Sequence, residues 1–279
     1  VIAARRLRHG DTSTQVVAAL LELASLLHNL AVLDGVEAKW AEAAAVYEEL
    51  LAIATKVHPG DDKARATALN NVATFWQDRA NEQKDEALKT EWFGRAEALF
   101  RETLAMRERL DGPESRRVAT VTGNLGTLLV DMGRGSEGLP LMRRALELRE
   151  KLFTLDHIET VKAMNNLAMG LLRAEGPEAA LPWFATALER ARARSDRDPS
   201  VLLAIEESWL VTWLRTPGRH DAMPAIEALY PRLVAARGAG SRQARNLARQ
   251  AADLLLAAGR AEEAEVWRGR AAAPSPAGR

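Results

Sequence analysis

The sequence predicts an all-α fold of about six stacked helical hairpins. Three observations carry that prediction. Alanine, leucine, arginine and glutamate dominate, all of them good helix formers, and the period-2 patterns of strands are missing. Two markers recur at one step. Asn29-Leu30-Ala31, Asn71-Val72-Ala73, Asn124-Leu125-Gly126 and Asn166-Leu167-Ala168 are separated by 42, 53 and 42 residues, and Tyr47, Phe100, Met142 and Phe184 by 53, 42 and 42. Lastly, Gly133, Gly176, Gly218 and Gly259 fall in the middle of successive units, where a left-handed residue ends one helix before the next begins. A hairpin of this length cannot bury its apolar face alone, whereas stacked hairpins cover one another.

The elements follow in order. Residues 1–12 read as the end of a preceding helix or a linker. The first hairpin spans 13–57 and closes on the turn HPGDD, residues 58–62. The second spans 63–110 and holds an insertion near DRANEQKDEALKTE, residues 78–91, which accounts for both spacings of 53. Split between two helices, the extra residues lengthen each by roughly 8 Å at the helical rise, and a charged spur is the expectation. DGPES, residues 111–115, opens the third hairpin, 115–153; the fourth is 157–194. SDRDPS, residues 195–200, leads into the fifth, 199–237, and the sixth covers 241–271. These last two are degenerate, with Ser208 and Gln250 in place of the asparagine. The proline-containing end, 272–279, reads as a disordered tail.

Composition removes several function classes. Lys+Arg and Asp+Glu both number 38, so no bulk positive charge exists to hold nucleic acid. With no cysteine there is no thiol nucleophile, thiolate metal site or disulfide, which fits the cytoplasm. No apolar run approaches the roughly 20 residues that cross a bilayer, so no membrane partner is expected. GRGSEG, residues 133–138, has the glycine pattern of dinucleotide binding but joins two helices instead of following a strand, and reads as a hairpin turn. The histidines, His9, His28, His58, His157 and His220, lack metal-site spacing, and His58 and His157 sit in equivalent turns, where capping is expected. No cofactor, metal or catalytic residue is assigned.

LELREKLFTLDHIETVKAMNNLAMGLL, residues 146–172, resembles the 42-residue tetratricopeptide repeats of kinesin light chains and their bacterial relatives. Asp156, His157 and Thr160 match the turn expected there, with Ile158 in place of proline, and the asparagine-leucine-small signature is intact in four units. The resemblance covers about 13–271. It implies antiparallel helix pairs stacked into a right-handed superhelical solenoid, with the first helix of each pair lining a concave groove for a peptide or partner domain. It also implies the C-terminal sensor or regulatory segment of a larger bacterial signalling protein, such as a Ser/Thr protein kinase.

Helical spacing places a polar stripe on each first helix. Asn124 aligns with Thr120, Thr127 and Asp131, Asn71 with Thr67, Thr74 and Asp78, and Asn166 with Lys162, Met169 and Arg173. An asparagine amide donates and accepts together, so a row of them can pair with the backbone of an extended peptide. In some members of the family an asparagine at this place forms such a ladder. The groove is thus expected to use Asn29, Asn71, Asn124, Asn166, Thr74, Thr127, Lys162 and Arg173, with Asn70, Asn165 and His28 adjoining. Bonding of the same asparagines to neighbouring helices, fixing the repeat geometry, is the other reading. Trp209 and Trp213, at i and i+4, mark a second interface, through which the chain would act as a structural self-assembly element.

Overall fold

In a computed structural model, residues 10, 13–34, 36–193, 199–216 and 222–274 are described. Among them every regular element is a helix. Two compact units divide the chain, Val1–Leu152 and Phe153–Arg279. The first contains α1 (Thr14–Asp34), α2 (Glu37–Val57), α3 (Lys63–Glu82), α4 (Glu86–Asp111), α5 (Arg116–Asp131) and α6 (Gly135–Leu152). The second contains α7 (Ile158–Ala174), α8 (Pro177–Ala193), α9 (Pro199–Trp213), α10 (Met223–Arg237), α11 (Arg242–Ala257) and α12 (Ala261–Ala271). Within each unit consecutive helices pack as hairpins, and α1, α3 and α5 neighbour one another as a layer of first helices. The expectations for residues 1–9, the turn at 194–198, Gly218, His220 and the end of the tail, 275–279, lie outside the described residues.

Capping residues start the first helices. Asp62 Oδ1 accepts from the backbone N–H of Ala64 at 2.7 Å and Arg65 at 3.1 Å. Ser115 Oγ accepts from Val118 at 3.2 Å and Ser241 Oγ from Ala244 at 3.3 Å. At α7 the cap is His157, whose Nδ1 accepts from Glu159 N–H at 3.2 Å while its ring stacks on Phe153. Each satisfies donors that the first helical turn leaves open. Partial burial raises the Asp62 carboxyl, but its two backbone donors and His58 outweigh that and hold it below the usual carboxylate range. A depressed carboxylate stabilises the fold above its unfolded pKa and stops doing so as pH falls through the folded value. Asp62→Ala is therefore expected to cost about 1 kcal/mol at neutral pH, and wild type and variant should converge in acid titrations of stability. A gap that persisted below both pKa values would show that the cap acts through something other than the ionised carboxylate.

The third hairpin closes on two glycines. A Cβ placed on Gly138 of α6 would lie 2.5 Å from the Gly126 carbonyl oxygen, and one on Gly126 would lie 2.9 Å from that of Gly138. The backbones of α5 and α6 thus touch where no side chain fits. Gly133, at φ 77°, ends α5 just before.

The insertion does lengthen its hairpin: α3 and α4 run for 20 and 26 residues against 16 and 18 in α5 and α6. It is not a free spur, however. The Arg79 guanidinium lies 5.3 Å from the Trp40 ring and 4.8 Å from the Trp92 ring, and it is ion-paired with Glu37. Arg95 covers Trp76 at 4.3 Å. The extension is therefore clamped to the first hairpin. Beneath it Phe75 is fully buried and meets Tyr47, Trp76, His28 and Trp40 at centroid distances of 4.8–5.7 Å.

Helix α1 departs from expectation in apolarity. Thr14–Val32 is long and apolar enough by composition to cross a membrane, because its polar interruptions Thr14, Gln15, Ser25, His28 and Asn29 add no charge beyond that of Glu22. One side of it, Val16, Leu20, Ala24, Leu27 and Ala31, is buried in the same core as α2 and α3. In the second unit the core joins Leu203, Ile226, Leu233, Leu247 and Leu255, with Tyr230 edge-on to Trp267 at 5.0 Å.

Candidate functional site

On α3 and α5 the polar stripes lie side by side in the first unit. The cross-hairpin link is made by Asn70. Asn124 Nδ2 donates to Asn70 Oδ1 at 3.2 Å, and Asn70 Nδ2 donates to Asn71 Oδ1 at 3.3 Å. Two turns further along, Gln77 Nε2 and Asn81 Nδ2 both donate to Asp131 Oδ2, at 2.8 and 3.1 Å. The threonines of the stripes bond their own helices: Thr74 donates to the Asn70 carbonyl and Thr127 to that of Gly123, each at 3.0 Å. Their oxygens keep accepting capacity, and each asparagine amide has more donors and acceptors than these bonds use.

Two arginines from second helices reach beneath the stripes. Arg107 of α4 is buried; its Nη2 donates to Thr67 Oγ1 at 2.7 Å and to the Lys63 carbonyl at 3.1 Å. Arg149 of α6 donates to the Ala119 carbonyl at 3.1 Å and to Thr120 Oγ1 at 3.4 Å. They stand seven residues after Phe100 and Met142, so they share the 42-residue step. Around the largely buried Asp111 carboxylate are Arg107 at 3.3 Å, Arg117 at 3.7 Å and Lys63 at 3.8 Å, and the Asp62 carboxylate also acts on Arg107. Burial pushes the Arg107 guanidinium down; Asp111 opposes this and Arg117 adds to it. Here a cavity of about 590 Å³ opens, lined by Thr67, Asn70, Arg107, Arg116, Arg117 and Thr120, among others. Its walls offer a positive field and several donors, the chemistry that fits a carboxylate.

The remaining expected site residues are not among those lining this cavity. Asn29 is exposed on α1. Next to it His28 is buried, with Nε2 3.2 Å from Asp78 Oδ2 and Nδ1 3.5 Å from the Tyr47 hydroxyl, so it ties α1 to α2 and α3. Asn166, Lys162 and Arg173 share the exposed face of α7 in the second unit, where Asn165 points its Oδ1 inward. Trp209 and Trp213 of α9 stack at 5.7 Å and line a cavity of about 600 Å³ with Leu181, Pro182 and Ala185. Sequence reasoning paired Asn71 with Asn124 and ranked Asn70 below both. It also missed Arg107 and Arg149, although their common spacing was there to be found.

Residues 117–193 match the family model of the tetratricopeptide repeat. That stretch is a tetratricopeptide-repeat segment. Solved structures share the fold of the chain at low identity. BtubC (BKLC) from P. vanneervenii superposes with a TM-score of 0.61 at 19% identity, over 85% of this chain and 87% of that one. The nearly identical TPR-like repeats of a putative kinesin light chain from Podosopora anserina give 0.58 at 15% identity, over 79% and 96%. No curated protein matches. Tetratricopeptide repeats are protein-interaction scaffolds, a property of their stacked, extended surfaces.

Proposed function

We propose that this chain is a non-catalytic scaffold that binds an extended, acidic peptide or partner segment along the α3–α5 face of its first unit. The observation that carries this reading is the cavity beside Asp111, where Arg107, Arg117 and Lys63 surround one carboxylate and Arg116 lines the wall. A peptide carboxylate there would answer the excess of cations, and Asn71, Asn124, Thr74 and Thr127 would meet its backbone. Asn29 on α1 would extend the contact, and Asn166, Lys162 and Arg173 on α7 would serve a segment of their own in the second unit. The family resemblance further suggests the sensor or regulatory part of a larger bacterial signalling protein, such as a Ser/Thr protein kinase, working in the cytoplasm.

A second reading has its own observation. The Asn124–Asn70 bond spans two hairpins, and on this reading these amides serve to fix the spacing of the repeats.

A peptide array carrying extended acidic, neutral and basic sequences separates the two. Acidic peptides should be retained over the others. Arg116→Glu with Arg117→Glu should weaken them at least tenfold, since each lost charged contact is worth about 1.5–3 kcal/mol. Asn124→Ala should weaken them less while leaving helicity intact. Retention that ignores peptide charge, or that survives the double charge reversal, would sink the groove reading. A fall in melting temperature for Asn124→Ala with unchanged binding would leave the asparagines as spacers.

A further inference from the structure

The cavity of about 600 Å³ between α8 and α9 has a chemistry of its own. Trp209 and Trp213 line it with rings that stack at 5.7 Å and lie within 10° of parallel. Leu181, Pro182 and Ala185 of α8 supply an aliphatic wall. Among the described residues that line it, Glu178 in the first turn of α8 is the single charged one, and no described cation lies within ion-pair reach of it. Glu178 is exposed and both indoles are part-buried. The face of an indole is the negative side of its quadrupole, so rings and carboxylate together favour a cation.

The chain itself shows which cation it places in such surroundings. In the first unit the Arg79 guanidinium lies against the Trp40 and Trp92 rings and pairs with Glu37, and Arg95 lies over Trp76 and pairs with Glu48. Each combines indole, carboxylate and guanidinium, and the cavity holds the first two. A guanidinium suits it better than an ammonium. It is planar and weakly hydrated, and it can stack on a ring while its N–H groups fork toward a carboxylate. The aliphatic wall would cover the methylene stem. A two-fold pairing through these same residues would bring a second Glu178 and no cation, so charge complementarity favours a partner of another kind.

We propose that this cavity binds an arginine side chain presented by a basic segment of a partner protein, its guanidinium against the Trp209–Trp213 stack and paired with Glu178. The proposal does not depend on the acidic-peptide reading of the α3–α5 face.

Blocked, glycine-flanked tripeptides with arginine, lysine or citrulline at the centre test it; citrulline has the shape of arginine without its charge. Each is titrated into the full chain while the indole N–H signals of the seven tryptophans are followed by NMR, assigned through single substitutions to phenylalanine. The arginine tripeptide is expected to shift the Trp209 and Trp213 signals with a Kd of about 1–20 mM, the scale of one charged contact. Lysine should bind more weakly, and citrulline should leave both signals in place. Glu178→Gln, at an exposed position, should keep the circular dichroism spectrum and weaken the arginine tripeptide about threefold, the worth of a partly exposed ion pair. Signals that stay still up to ~50 mM arginine tripeptide overturn the proposal. So does an equal response to citrulline, or an affinity that ignores Glu178→Gln. Shifts of the same two signals on raising protein concentration alone would give the face to a second copy, and would overturn it too.

Discussion

Gly138→Ala is expected to destabilise the first unit by about 2–3 kcal/mol. Two effects oppose each other. In a helix interior alanine is favoured over glycine by about 1 kcal/mol. Against that, the new methyl would lie 2.5 Å from the Gly126 carbonyl oxygen, 2.8 Å from Val130 Cγ2 and 3.0 Å from the Val130 nitrogen. Two of these atoms are backbone and cannot turn aside, so α5 and α6 must separate. Overpacking of this kind costs typically 1–3 kcal/mol and sometimes more, and the positions here lie at the upper end. Gly94→Ala is the natural control. It sits on the exposed side of α4, with nothing within 4 Å of a Cβ, and should gain about 0.5–1 kcal/mol. Chemical denaturation of both variants should place them on opposite sides of wild type. If Gly138→Ala matched or exceeded wild type, the close approach of α5 and α6 would be wrong.

Phe75→Ala is expected to cost about 3–5 kcal/mol. The ring is fully buried and touches α1 through His28, α2 through Trp40 and Tyr47, and its own helix through Trp76. Truncation removes the ring that joins three helices and leaves a cavity among aromatic walls too stiff to collapse into it. Phe75→Leu keeps most of the volume and should cost about 1–2 kcal/mol, chiefly the lost ring–ring contacts. Near-ultraviolet circular dichroism should lose intensity in the alanine variant. Tyr47 supplies a second readout. Burial, the largest influence, raises its phenol to about 12, although a hydrogen bond from Ser25 acts the other way. A group raised in the folded state stabilises the fold below its unfolded pKa, and that contribution disappears as pH rises through the folded value. Wild type should therefore lose stability between about pH 10 and 12. Water admitted beside Tyr47 in Phe75→Ala should bring its titration back toward 10. An unmoved titration would mean that the cavity had closed.

Much of the fold was legible because its signals are local. Helix-forming composition, the step of 42, the turn glycines and the capping residues act over a few residues or repeat along one chain, so they can be counted. The chemistry of the groove was less legible. Asn70 and Asn71 are adjacent, and successive residues on a helix point about 100° apart. Only the rotation of α3 against α5 decides which of them meets Asn124, and it selects Asn70. Arg107 and Arg149 belong to second helices, and no pattern within those helices says that they reach under the first ones. The insertion looked like a spur because its charge pattern is that of a solvated face. Trp40 and Glu37, on the preceding hairpin, hold it down through Arg79.

The sequence by itself determined that this protein is a stack of helical hairpins, that its first helices carry asparagine-rich polar stripes, and that it lacks cysteine chemistry and net charge. Tertiary structure alone decided which stripe residues touch, where three cations gather around Asp111, and which apolar positions of α1 stay open to water. Periodicity specifies a face, and contact between faces requires the rotation and spacing of helices that are distant in the chain.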